Sequence, residues 1–266
     1  MTRALLYEWA RIRSVRLTWW IAGLSMVITT VAATGYSALV STMVSAEAKV
    51  DGLEAIVMIL SKPSAAPIAA GVLGVFAVGN DFRFGTMSAT LLITPRRTVA
   101  LGARAVVVAG FGSALALAGL AAAWVVGTLM VGRQFLGRAT ALELFSLCAA
   151  QIALTVGWAL LGTFIAILLR SQVAALTTML AVPFAVEPAL RTMALLSGRG
   201  WLEQLAGLLP FAAGNAMTDI SHGATGTLLA STSVRLGPLA GGLVFFGMTA
   251  VVGTGALLHF RRQDVP

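Results

Sequence analysis

An all-α protein that crosses a membrane several times is the fold class this sequence predicts, on three observations. Of its 266 residues 58% are hydrophobic and 11% charged, where a soluble domain carries about 25% charged residues. The apolar residues gather into six runs of about 18 or more, the length a helix needs to cross bilayer hydrocarbon at its rise of about 1.5 Å per residue. Most arginines stand at the ends of those runs, as topology signals do.

The six runs are Trp19 to Val40, Pro63 to Asn80, Ala105 to Val131, Leu144 to Leu169, Val173 to Leu190 and Pro238 to Phe260. Orientation follows from the basic residues. Arg3, Arg11, Arg13 and Arg16 precede the first run, Arg83, Arg96, Arg97 and Arg104 fall in the second connection, and Arg170, Arg261 and Arg262 share that side. The remaining seven (Lys49, Lys62, Arg133, Arg138, Arg191, Arg199 and Arg235) are spread over the opposite, longer loops. Both termini are therefore expected in the cytoplasm. The first run is longer than the apolar core of a secretory signal, so it is expected to stay as an anchor.

Residues 1–18 form a separate unit ahead of residues 19–266. Leu5, Trp9, Ile12 and Arg16 recur at helical spacing, with Leu6 beside the stripe and Glu8 and Arg11 off it. This describes an amphipathic helix in the inner interface; the alternative is a charged flank that only obeys the positive-inside rule. Trp9, Trp19 and Trp20 suit either as interfacial anchors.

Between the fifth and sixth runs, residues 191–237 are too polar and glycine-rich to span simply, yet hold Trp201, Leu202, Leu205, Leu208, Leu209, Pro210 and Phe211. A re-entrant hairpin and a surface helix both fit. Glu187 is the acid set deepest in a run. It pairs locally with Arg191 at i+4, or it serves as a gate. Pro67 and Pro183 are read as lying inside spans, where each frees a backbone carbonyl and kinks the helix. Gly237 and Gly241 offer a weak close-packing signal. Gln151, Thr155, Thr163, Thr177 and Thr178 can bond across helices, touch a polar cargo, or bond back to their own helix.

Several chemistries are missing from the sequence. It has no phosphate loop, nucleophile elbow or zinc-binding His pair, and Cys148, His222 and His259 lack metal-ligand spacing. The net charge of +8 resides in arginines flanking apolar runs, which argues against nucleic acid as a partner. No catalytic, cofactor or metal site is expected in the chain itself, and any energy would come from another polypeptide.

The second connection, Asp81 to Arg104, is longer than a turn between antiparallel helices requires. Gly85 can end the preceding run, Thr86 can cap a new helix, Met87, Leu91 and Leu92 fall on one face, and Pro95 and Arg96 stop it. A short helix aimed at the cytoplasm results. It docks on a partner or rests on lipid.

In three places the sequence resembles the transmembrane subunits of ABC-2 type transporters. Glu8-Trp9-Ala10-Arg11-Ile12-Arg13-Ser14-Val15-Arg16 is similar to the family's amino-terminal run, Asp81-x-Arg83-x-Gly85-Thr86 with Pro95-Arg96-Arg97 to its Glu/Asp-x-x-x-Gly-Thr segment, and Phe260-Arg261-Arg262-Gln263-Asp264-Val265 to its tail. The resemblance implies a coupling helix at Gly85 to Thr94 seated on a separate ATP-binding subunit, which holds ATP and magnesium. It implies ATPase contact for residues 5–16 (Leu5, Glu8, Trp9, Arg11 and Ile12 among them) and a homodimeric pathway in a 2:2 complex in a bacterial cell membrane. It further implies that the second and fifth runs line this pathway, with Phe76, Thr177, Met179 and Phe184 against a hydrophobic or amphipathic cargo. Leu209-Pro210-Phe211 resembles the family's outer re-entrant segment, which puts Pro210 and Phe211 beside Glu187 as candidate gate residues.

Overall fold

The computed structural model describes residues 2–45, 56, 58–62, 64–86, 97–132, 140–218 and 236–262. Among them every regular element is helical and no strand occurs. In chain order these are α1 (Thr2–Ser14), α2 (Arg16–Ser45), α3 (Ala66–Phe84), α4 (Arg97–Met130), α5 (Ala141–Leu169) and α6 (Gln172–Ala181). A π-turn (Val182–Val186) joins α6 to α7 (Glu187–Leu196), followed by α8 (Gly200–Gly207), α9 (Pro210–Met217) and α10 (Pro238–Arg262).

Five stretches are long and apolar enough to cross a membrane: Arg16–Met43, Val99–Met130, Ala141–Leu169, Gln172–Leu196 and Pro238–Phe260. The remaining predicted span, Pro63 to Asn80, is the 19-residue α3. It is mostly buried, and its last turn carries Asp81 and Arg83. Pro67 lies in its first turn, where no intrahelical N–H bond is due. A proline there interrupts no intrahelical bond, so the kink expected at Pro67 has no cause. Pro183 lies in the π-turn, the widened turn that forms where an i→i−4 bond is interrupted.

Several helix ends follow from local chemistry. Thr140 and Glu143 make a reciprocal capping box, the Glu143 N–H donating to Thr140 Oγ1 at 3.3 Å and the Thr140 N–H to Glu143 Oε2 at 2.7 Å. This satisfies two amides that the helix start leaves open and begins α5 three residues before the predicted Leu144. At the other end α5 stops on Arg170, which holds a left-handed φ of 49°. α3 stops on Gly85 at φ 65°, a conformation glycine adopts without a Cβ clash.

The core forms where α5 meets α3, α6, α9 and α10. Val75, Leu154, Trp158, Leu161, Met179, Phe211 and Phe245 are buried together there. α3 and α5 approach so closely that a Cβ on Gly74 would strike the Ala159 carbonyl, and one on Gly162 the Gly71 carbonyl. Small residues permit that approach in membrane helices. Thr155 and Thr163 bond back to the carbonyls of Gln151 and Ala159 at 2.8 and 2.9 Å, so their hydroxyls are satisfied inside α5. Gly241 packs against Ala213 and Ala216 of α9, while Gly237 meets nothing within 4 Å.

Candidate functional site: a buried ion-pair cluster

Four charged side chains converge from three helices. Glu8 and Arg11 come from α1, Asp81 from the last turn of α3, and Arg104 from the start of α4. Arg104 donates to Glu8 through Nε at 3.1 Å and Nη2 at 2.8 Å, and to Asp81 through Nη1 at 2.7 Å. Arg11 takes the other side of Asp81, with Nη2 2.6 Å from Oδ1 and Nη1 3.1 Å from Oδ2. Its Nη2 also donates to the Ala77 carbonyl at 3.3 Å. Glu8, Asp81 and Arg104 are each 2% exposed.

Two acids and two arginines make the cluster neutral, which is the condition for burying such groups at tolerable cost. The planar guanidinium forks suit this task because each can bridge two carboxylates with near-parallel bonds. Thr86 completes the site: its hydroxyl donates to Asp81 Oδ1 at 2.9 Å and its N–H to the Asp81 carbonyl at 3.0 Å. Asp81 thus gathers α1, α3, α4 and the first residue after Gly85. Trp9 adds a ring stacked on Phe111 of α4, centroids 4.8 Å apart, and Ile12 packs beside Ile21 on the α3–α4 surface.

This arrangement corrects two expectations. Glu8 and Arg11 do not face outward from α1; they turn inward, because partners 96 and 70 residues away neutralise them. Arg104 is not the far end of an exposed connection, since α4 begins at Arg97 and buries Arg104 within its second turn. Of the residues expected to couple, Gly85, Thr86 and Arg83 are exposed, with the Arg83 guanidinium 5.3 Å from the Phe84 ring. Met87, Leu91, Leu92, Pro95 and Arg96 lie outside the described residues, and so does the helix expected there.

A second constellation joins the three candidate gate residues, Glu187, Pro210 and Phe211. Both Glu187 oxygens accept backbone N–H groups at the start of α9, from Phe211 and Ala212, each at 2.9 Å. Pro210 precedes them at the first helical position. The carboxylate caps a helix from outside it, satisfying amides that α9 cannot pair internally. Phe211 in turn packs on Trp158, centroids 4.5 Å apart.

No family model and no curated protein matches this chain.

The proposed pathway residues are not brought together within one chain. Met179 is fully buried in the core. Phe76 lines a small cleft between α3 and the α1–α2 corner, beside Ile12 and Thr18. Thr177 and Phe184 are exposed on the outer face of α6 and the π-turn. A separate apolar groove of about 570 Å³ lies between α5, α6, α9 and α10, lined by Ile165, Thr178, Phe211 and Met248 among others.

Proposed function

We propose that this protein is the membrane subunit of an ATP-driven exporter of the ABC-2 type. Two copies form the pathway, and separate ATP-binding subunits, carrying ATP and magnesium, dock beneath. In this reading α3 serves as the second of six spans, both termini are cytoplasmic, and α8–α9 form the outer re-entrant segment. The cargo is a hydrophobic or amphipathic compound, and the location is a bacterial cell membrane.

The observation that carries the reading is the Glu8–Arg11–Asp81–Arg104 cluster. It binds α1 to both helices that flank residues 85–96. A push on that connection, or on α1, would reach α3 and α4 together, because hydrogen-bonded charge pairs of this kind do not slide freely. A coupling element requires such a rigid link between a cytoplasmic contact and the spans; a lipid-resting loop does not. Exposed Val173, Leu180 and Phe184 on one span supply an apolar face for a second copy.

Purification of the protein from its own cells tests the reading. A phosphate-loop ATPase is expected in equal amount, with ATP-dependent efflux from vesicles. An Arg83→Ala, Leu91→Ala double variant is expected to insert normally and lose ATPase stimulation. Absence of both the ATPase and the efflux would overturn the proposal in favour of a membrane scaffold.

A further inference from the structure

The corner between α1 and α2 consists of one non-helical residue, Val15. Two bonds fold the chain back across it: Thr18 Oγ1 donates to the Ile12 carbonyl and Trp19 Nε1 to the Arg13 carbonyl, both at 3.0 Å. Valine has no side-chain oxygen with which to cap α2, and among the described residues only the Thr18 amide of its first turn finds a local carbonyl, that of Val15 at 3.1 Å. The start of this 30-residue helix therefore presents the partial positive charge of its first-turn amides.

Arg13 and Arg16 flank the same corner and are exposed. Among the described residues no acid lies within ion-pair distance of either. The acids of the neighbouring helices, Glu8 and Asp81, are already matched by Arg11 and Arg104. Among the described residues, positive charge at the corner thus remains uncompensated. Around it Leu6, Trp19 and Trp20 are 64%, 56% and 76% exposed. An apolar surface with indole rings, at the mouth of a span, belongs to the headgroup layer of a bilayer.

We propose that the α1–α2 corner binds the phosphate headgroup of an anionic phospholipid. Arg13 and Arg16 meet its charge, the first-turn amides of α2 lie toward its oxygens, and Trp19 and Trp20 lie along the glycerol and upper acyl region. A soluble acidic protein would satisfy the arginines but leave the indoles and Leu6 in water. The inference rests on α2 crossing the bilayer and not on the ATPase partner, so it can fail or stand independently of the exporter reading.

The test is native mass spectrometry of the whole protein released from nanodiscs of phosphatidylcholine and phosphatidylglycerol in equal amounts. Wild type is expected to retain phosphatidylglycerol preferentially, and to lose that preference in high salt, which screens exposed charges. An Arg13→Gln, Arg16→Gln variant is expected to lower the preference about five-fold for each arginine. An Arg13→Lys, Arg16→Lys variant should keep most of it, and Arg199→Gln, at a distant exposed position, should keep all. Equal preference in the Gln variant and wild type would overturn the proposal. So would insensitivity of wild type to salt, a result available even if the variant fails to fold. Loss of bound lipid to a few millimolar inorganic phosphate would overturn the lipid assignment in favour of a free anion.

Discussion

Arg104 holds both oxygens of the Glu8 carboxylate, at 3.1 and 2.8 Å, from 96 residues away in sequence. Replacing Arg104 with Met leaves two buried acids facing Arg11 alone. A loss of about 3–5 kcal/mol is expected, as for other broken buried pairs. Lysine is not expected to rescue it, because a single ammonium cannot fork between Glu8 and Asp81. A Glu8→Gln, Arg104→Met double variant should lose less than the sum of the two single changes, with a coupling of about 0.5–3 kcal/mol. Denaturant titration in detergent, followed by tryptophan fluorescence, measures wild type and the four variants.

Gly74 sits where α3 and α5 nearly touch. A methyl group there meets the Ala159 carbonyl, which is backbone and cannot rotate aside, so Gly74→Ala is expected to destabilise by about 1–3 kcal/mol. Gly110, in the middle of α4, faces nothing within 4 Å. There the same change should stabilise by roughly 0.5–1 kcal/mol, since alanine loses less backbone freedom on entering a helix. Thermal unfolding of the two variants should shift in opposite directions.

Glu187 and α9 give a third test. A glutamine at position 187 offers one carbonyl oxygen to two backbone donors, and its amide group opposes the second. Glu187→Gln should weaken the attachment of α9 by about 1–3 kcal/mol. Hydrogen exchange at Phe211 and Ala212 should then quicken while exchange in the middle of α5 is unchanged. Equal protection in both proteins would show that packing on Trp158 alone holds α9.

Arg170 ends α5 in a left-handed conformation that costs an L-residue roughly 1–2 kcal/mol. Its Nε is also buried without a partner. Arg170→Gly should raise stability by about 1 kcal/mol, with Asn intermediate. Melting temperatures in one detergent provide the comparison.

The five helices long and apolar enough to cross a membrane are legible because each carries its signal locally: a long apolar run needs no knowledge of its neighbours. Thr140-Ala-Leu-Glu143 is a capping box readable in the sequence, and it would have placed the start of α5 correctly. The ion-pair cluster was not legible. Periodicity in α1 sorts residues by polarity and puts Glu8 and Arg11 off the apolar stripe, but it carries no sign of partners on α3 and α4. A hint was available, since the chain has only ten acids and Glu8 and Asp81 both stand among arginines. The tie between Glu187 and α9 was hidden for a different reason: its donors are backbone amides, which every residue but proline possesses.

Charge neutrality at the cluster also constrains the order in which the chain can enter a bilayer. An ionised side chain buried without its partner is costly. Asp81 and Arg104 lie only 23 residues apart in sequence, so their charges can cancel as soon as α4 has been made. Glu8 emerges first and has only Arg11, 3.7 Å away in the finished fold, until Arg104 follows. α1 is therefore expected to wait at the surface during synthesis and to dock after α4 is in place.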